Sequence, residues 1–422
     1  LARAGAAAAT RDATTVARLR AAGAIPLLKT NVPELCSSFE TDNVVHGLTR
    51  NPLDLDRTPG GSSGGEGALL GADASIAGLG TDGGGSIRVP SHYCGTVGLR
   101  PTTGRTAETG LWPPTRAAGT LDFTCVGPMA RHVEDLGLLL AVLAGADGID
   151  PYAVDVPLRD WRAVDPTALR VAFYDDHPAV PATTPGTRAA VRAAVEAFAR
   201  AGCEVEQIAP PVAPGGRSAT ELFFAAAGAD GGAGMRAAVA GAGRHHWQFQ
   251  ALLDAAAGAP GADRGAGDAD RGSLDTNRGA SDTNRGAADT DRGAPGTTAG
   301  AYFALLREIH AFRAQVRATA AAYDVVISPV VAGPAPLHGT PPAGIAQEDY
   351  LHYAAFEYVH VNAVAGLPSA AVPVAREAGL PLAVQVAAPA FRDDLALAAA
   401  ALLEAELGGF AINRSLADRS PS

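Results

Sequence analysis

Two glycine-dense stretches hold the residues with the clearest chemical use. GGSSGG at residues 60–65 and TDGGGSIR at residues 81–88 set three hydroxyls, Ser62, Ser63 and Ser86, where little other side chain surrounds them. Three chemistries use such loops. For phosphate binding, Gly78, Gly80 and Gly83 spell GxGxxG, but a dinucleotide fold needs a helix opening there and an acid about 20 residues on. Here Gly84, Gly85, Pro90 and Gly95 follow, and Arg100 and Arg105 stand where the acid belongs. No Gly-Lys-Ser/Thr occurs, so a P-loop fails as well. Gly61-Ser62-Ser63-Gly64-Gly65 matches the nucleophile elbow GxSxG, which follows a strand. Its approach, NPLDLDRTPGG with Pro52 and Pro59, reads as a loop instead. The third use takes both stretches together. Glycine allows close backbone approach and positive φ, so Gly83, Gly84, Gly85 and Ser86 can aim successive N–H groups at one oxygen. Such donors supply a large electrostatic contribution to acyl transfer.

These loops need a scaffold. Asp12 caps an expected helix over residues 13–22, and Ile25–Leu28 reads as a strand. Further strands are expected at 169–174, 324–328 and 382–387, with helices at 187–201 and 394–406. Strands alternating with helices point to an α/β sheet covered on both faces. From residue 261 to 300 the pattern breaks. Arginine recurs every seventh residue, at Arg264, Arg271, Arg278, Arg285 and Arg292, in units such as DTNRGAS. A coiled coil needs two apolar positions per heptad, and these units offer mostly Ala, Gly, Asp and Thr. Residues 258–300 are therefore expected to be a disordered low-complexity insertion.

Composition narrows the partners. With 47% apolar and 18% charged residues, the 422-residue chain has the make-up of a globular protein. A formal charge of −11 gives no basic face for nucleic acid or anionic lipid. Cys36, Cys94, Cys125 and Cys203 form no CxxC pair, so neither a zinc site nor a disulfide framework is expected, and a reducing cytoplasm is the default location. No apolar run reaches the roughly 18 to 20 residues of a membrane span. The chain opens with Leu1 inside an Ala-rich stretch, which reads as a cut end and leaves a signal or anchor upstream open.

The run from Gly60 to Arg105, GGSSGGEGALLGADASIAGLGTDGGGSIRVPSHYCGTVGLRPTTGR, resembles the signature region of the amidase signature family. Likeness continues through GPMARHVEDLGLLL (127–140) and NAVAGLPSAAVPVAREAGLPLAVQV (362–386). TNVPELCSSFETDNVVHGLTRNP (30–52) and Glu66 resemble the fatty acid amide hydrolase branch. The resemblance implies one α/β domain over residues 1–422, with a central mixed sheet flanked by helices. It implies hydrolysis of a carboxylic amide, fatty acyl amides included, to acid and amine or ammonia, with no metal or organic cofactor. Its partner is a small-molecule amide, and a homodimer stays open. It further implies a Ser–cis-Ser–Lys triad in which Ser86 is the nucleophile and Ser62 the bridging serine, entered by a cis peptide from Gly61. Gly83, Gly84, Gly85 and Ser86 would hold the oxyanion, Ser63 would assist, and Cys36 would line the substrate cavity. Two alternatives stay open: the A subunit of a glutamine-dependent tRNA amidotransferase, and a non-catalytic binding relative.

Other polar residues here have plainer readings. Asp82 and Arg88 pair to shape the loop, and Glu66 sits in the following helix at a solvated or packing position. His92 is a hydrogen-bonding scaffold, Cys94 a small buried hydrophobe, and His245-His246 surface residues. One member of the implied triad is missing. The family's lysine precedes the helix that resembles DATTVARLRAAGA, yet none of the eleven residues before Asp12 is lysine. Lys29, the only lysine of the sequence, falls in LLKTNVPE at a scaffold position. The expectation is an N-terminally truncated domain, inactive or severely slowed because serine without a base is a poor nucleophile.

Overall fold

Leu380–Ala387 shows why a sheet forms at the centre of this chain. Leu382, Val384 and Val386 alternate with Ala383 and Gln385, and all five are buried. Side chains on a strand point to opposite faces in turn, so both faces of this strand must be covered. The computed structural model describes residues 8–112, 123–180, 182–257, 297–341 and 354–410. The arginine repeat, within residues 258–296, lies outside them.

Eight strands are present among the described residues: β1 (Ala77–Thr81), β2 (Val97–Arg100), β3 (Val126–Ala130), β4 (Arg170–Phe173), β5 (Glu204–Gln207), β6 (Val325–Pro329), β7 (Ser369–Glu377) and β8 (Leu380–Ala387). They form one sheet in the order β1-β3-β2-β7-β8-β6-β4-β5. β4 pairs parallel with β5 and β6, while the other pairings are antiparallel, so the sheet is mixed. The expected strands at 169–174, 324–328 and 382–387 are β4, β6 and β8 within a residue or two.

The helices are α1 (Thr14–Ala21), α2 (Gly64–Gly71), α3 (Arg88–Cys94), α4 (Val133–Leu143), α5 (Pro185–Ala201), α6 (Ala219–Ala227), α7 (Ala233–Ala238), α8 (Trp247–Ala256), α9 (Ala299–Ala322), α10 (Glu357–Ala365) and α11 (Asp393–Leu407). One face of the sheet packs on α4, α5 and α11, through Leu136, Leu140, Val191, Phe198, Leu395 and Leu403. The other packs on α3 and α10, where Ala371 and Ala383 meet Val89, Tyr93, Tyr358 and Val359. Every residue of α3 and of α10 is buried, so their polar side chains must find partners inside the protein. No helix of the described residues is long and apolar enough to cross a membrane.

Two local expectations change. The first helix begins at Thr14, and its N-cap is Ala13 with no side-chain cap, rather than Asp12; Asp12 instead lies 3.6 Å from Arg20 as an ion pair. Ile25–Leu28 is not a strand. Ile25 and Leu27 are 81% and 80% exposed, with no neighbouring strand to supply a ladder, and apolar character alone does not make a strand.

Asp393 at the start of α11 illustrates how the layers are joined. Its buried carboxylate accepts hydrogen bonds from Thr102 N–H and Oγ1 at 2.8 and 2.9 Å, and from Arg105 Nε and Nη2 at 3.2 and 3.1 Å. Asp393→Ala leaves Arg105 buried without its counter-charge and is expected to cost about 3–5 kcal/mol of unfolding free energy by chemical denaturation. His92 of α3 joins helix to sheet. The Ala383 amide can only donate, so Nδ1 accepts from it at 2.9 Å and the ring hydrogen sits on Nε2, 3.1 Å from the Gly333 carbonyl oxygen. Burial pushes the imidazole down from 6.5 to about 4 despite those contacts. Because the folded value lies below the unfolded one, the unfolded chain binds the proton first as pH falls. Stability is therefore expected to decline from about pH 6.5 towards about pH 4, and His92→Gln to flatten part of that decline in pH-resolved denaturation.

Candidate active site

The bridging loop is built by backbone packing. Thr58 Oγ1 accepts from Gly60 N–H at 3.0 Å, and Thr41 Oγ1 donates to the Gly60 carbonyl at 2.8 Å. The Gly61–Ser62 peptide is cis, and Ser62 is buried. At Gly61 a Cβ would lie 2.6 Å from the Ser38 carbonyl oxygen and 3.0 Å from Glu40 N, so the main chain of residues 38–40 lies directly on this loop. Any side chain there would push the two segments apart, which is why glycine precedes the serine. Ser63 stands at the N-cap position of α2.

The second loop follows β1 and turns around one carboxylate. Asp82 Oδ1 accepts from Gly85 N–H at 2.7 Å, and Oδ2 accepts from Ile87 N–H at 3.2 Å. Arg88 closes the turn, with Nε at 3.0 Å from Oδ2 and Nη2 at 2.9 Å from Oδ1. Asp82 and Arg88 pair as expected, fully buried. Burial by itself would raise the Asp82 carboxyl, but the charge and hydrogen bond of Arg88, with Arg100 and Gly85 N–H, hold it below the ordinary range. Arg88 also donates from Nη1 to Gln385 Oε1 at 2.7 Å and from Nη2 to the Val359 carbonyl at 3.0 Å. The turn is thereby tied to β8 and α10.

Ser63 joins the two loops. Its N–H donates to the Ser86 carbonyl at 3.1 Å, and its Oγ accepts from Thr81 N–H at 3.3 Å. The two serine-bearing loops are thus held against each other through Ser63. The amides of Gly83, Gly84 and Ser86 have no hydrogen-bond acceptor among the described residues. Gly85 departs from the expectation: its N–H is engaged by Asp82, so it serves the turn and is not presented to an oxyanion. Gly85 has φ of +123°, and a Cβ there would sit 2.6 Å from Val359 Cγ2.

Cys36 ends a short 3₁₀ turn, Glu34–Cys36, with its thiol near the Ser62 hydroxyl. The residue is exposed. Desolvation pushes its thiol up, against the Ser62 hydroxyl and the charge of Lys29. Lys29 is exposed and makes no ion pair among the described residues.

The plainer readings divide. His92 is the expected scaffold, and Cys94 is a buried thiol pushed up by desolvation. Glu66 lies in α2, where it packs against Gly78 and burial raises its carboxyl against a hydrogen bond from Thr30. His245 and His246 are not simply surface residues. They are half-buried and grip the segment beside Cys36, with His245 Nδ1 at 2.7 Å from Glu34 Oε1 and His246 Nε2 at 3.2 Å from Asp42 Oδ2. Acidic residues close in space but distant in sequence drew them inward, which a two-residue motif does not reveal.

Gln385 was missed by sequence reasoning. Its Nε2 donates to Ser328 Oγ, Pro329 O and Tyr358 O at 3.1, 2.9 and 2.7 Å, while Oε1 takes Arg88. The available signal was a lone amide inside the apolar run LAVQV. A cavity of about 1140 Å3 opens elsewhere, between α6, α8 and α9, with Thr220, Phe224, Leu252 and Leu305 among its walls. The serines do not line it. Among the described residues no three His, Cys, Asp or Glu side chains converge as metal ligands would.

Several known proteins are similar to this chain. The A subunit of glutamyl-tRNA(Gln) amidotransferase from Roseiflexus castenholzii is 44% identical over 206 residues, 48% of this chain and 41% of that protein. The chain thus spans about two fifths of that relative's length in the aligned part. The protein of the same name from Akkermansia muciniphila is 31% identical over 395 residues, 92% of this chain and 78% of that protein. Among solved structures, 6-aminohexanoate cyclic dimer hydrolase complexed with substrate superposes with a TM-score of 0.76 at 28% identity, covering 96% of this chain and 79% of the other. A fatty acid amide hydrolase superposes at 0.72 with 22% identity over 94% and 68%, which shows the shared fold. The family model described as Amidase matches residues 4–397. With that match spanning nearly its whole length, the chain belongs to the amidase signature family.

Proposed function

We propose that the serine pair carries out acyl transfer from a carboxylic amide, with Ser86 as nucleophile and Ser62 as the proton bridge. The observation that carries this reading is the junction of the two loops: Ser63 N–H is bonded to the Ser86 carbonyl at 3.1 Å, and the amides of Gly83, Gly84 and Ser86 have no acceptor among the described residues. Ser86 Oγ attacks the carbonyl carbon while its proton passes to Ser62 Oγ, and the proton of Ser62 passes to a neutral base. The amides of Gly83, Gly84 and Ser86 hold the developing oxyanion. When the C–N bond breaks, the relay reverses and the departing nitrogen takes a proton. Water then releases the acid from Ser86. Cys36, whose thiol lies near the Ser62 hydroxyl, lines the cleft in which the amide lies.

The base sets the rate. Lys29, the only lysine in the sequence, is exposed, and a base must be desolvated and within reach of the bridging hydroxyl. The 422-residue chain is therefore expected to hydrolyse simple amides far more slowly than a family hydrolase that carries the triad lysine. Its Ser86 is expected to react slowly with a fluorophosphonate, found by mass spectrometry of the labelled peptide. Ser86→Ala should abolish that labelling and Ser62→Ala slow it, whereas Lys29→Ala should leave it unchanged. Labelling on another serine would defeat the assignment, and loss of labelling in Lys29→Ala would make that lysine the base.

A second reading has its own support. A curated relative matched over 92% of this chain is the A subunit of an amidotransferase. In that reading the amide is glutamine and the nitrogen is passed on as ammonia to a protein partner. Ammonia released from glutamine in preference to aliphatic and aryl amides would favour it over a free-standing amide hydrolase of the fatty acid amide hydrolase type.

A further inference from the structure

His360 lies behind the glycine loop on α10 and has no part in the reaction as described above. Its imidazole is fully buried, and its Nε2 has no hydrogen-bond partner. A buried polar atom without a partner is costly, so its presence needs a reason. The ring is held at its other end, where Nδ1 lies 2.9 Å from Thr220 Oγ1. Thr220 is in the first turn of α6, and that turn is itself anchored to α10: Glu357 accepts from the amides of Ala219 and Thr220 at 2.7 and 2.8 Å. Phe223 and Phe224 flank the ring, with centroids 4.7 and 5.8 Å away. Rotation is thus blocked, and Nε2 faces Gly84. A Cβ on Gly84 would lie 2.9 Å from Nε2 and 3.1 Å from Phe223 Cζ. Burial, with the charge of Arg88, pushes the imidazole down to about 3, so the ring is neutral across the working range.

A planar peptide carries its C=O and N–H on opposite edges. Whatever holds the Gly83 carbonyl therefore aims the Gly84 N–H the other way. The neighbouring peptide already works like this, since Asp82 fixes Gly85 N–H. Resting on the acyl-transfer reading of Ser86, we infer that His360 is a positioning residue: with the Thr220 hydroxyl donating to Nδ1, its Nε2–H takes hold of the Gly83 carbonyl when the loop is loaded, and so aims the Gly84 N–H at the oxygen that turns negative. The route also joins the loop to the large cavity, because Thr220 stands in the wall of that cavity and touches the ring.

The test compares the wild-type chain with His360→Phe, His360→Gln and Thr220→Val. The rate of Ser86 labelling by a fluorophosphonate is expected to fall roughly tenfold in His360→Phe, less than for removal of an oxyanion donor itself. His360→Gln, which keeps an N–H near the Nε2 position, should recover most of the loss. Thr220→Val should fall by a smaller factor, and adding it to His360→Phe should slow labelling no further. Hydrogen exchange of a peptide spanning Gly83 to Ile87 should speed up in His360→Phe at an unchanged thermal midpoint. Labelling and exchange like wild type in His360→Phe would overturn the inference. So would losses that merely track the thermal midpoint, or imidazole ¹⁵N shifts placing the ring hydrogen on Nδ1. A wild-type chain that never labels at Ser86 would defeat the acyl-transfer reading instead, and exchange and ¹⁵N shifts would still decide the role of His360.

Discussion

The buried pair of Asp82 and Arg88 is the constraint on which the rest of this site depends. Two charges removed from water are stabilised only when their remaining hydrogen-bonding capacity is filled, and here it nearly is. Both oxygens of Asp82 take main-chain amides as well as the guanidinium, and each nitrogen of Arg88 has an acceptor. The pair therefore does more than neutralise itself. It bends residues 82–88 into a turn, fixes one glycine amide, and leaves the amides of Gly83, Gly84 and Ser86 without an acceptor among the described residues. Arg100 is the less complete member of the cluster: its Nε approaches Asp82 at 3.6 Å without a hydrogen bond, while its other nitrogens bind the carbonyls of Leu367 and Phe123.

α10 gives the turn its backing. Val359 fills the space against Gly85 and His360 that against Gly84, so consecutive helical residues meet consecutive glycines. The same helix caps α6 through Glu357 and receives Arg88 at the Val359 carbonyl. A loop with almost no side chains is thus made rigid from outside, by residues that come late in the sequence. The bridging loop is treated alike, with residues 38–40 laid over Gly61. Glycine in both loops serves close packing at least as much as conformational freedom.

Much of this was legible in the sequence where local pattern and tertiary environment agree. β4, β6 and β8 carry apolar runs of strand length, α5 and α11 carry helical periodicity, and all five were expected within a residue or two. β1 and β2 escaped notice, because AGLGT and VGLR are glycine-containing strands made stable by pairing with β3 and not by their own propensity. Ile25–Leu28 failed in the opposite sense, having strand composition and no partner. In the site, the ion pair and the serine loops could be foreseen from a short, dense motif. His360, Gln385 and the contacts of His245 and His246 could not, since each depends on residues more than a hundred positions away, or nearly three hundred for Gln385 and Arg88.

The sheet order carries a consequence for synthesis. β2, which follows directly on the serine-bearing segments, is flanked on one side by β7, with Gly98 opposite Ala371. On a ribosome, the two serine loops emerge long before the strand and helix that cover them. Until residues beyond 350 are translated, Arg88 has neither the Gln385 amide nor the Val359 carbonyl to bind. Such high contact order slows folding and leaves early segments waiting in a partly open state. The nascent chain thus acquires its serines first and the walls that organise them last.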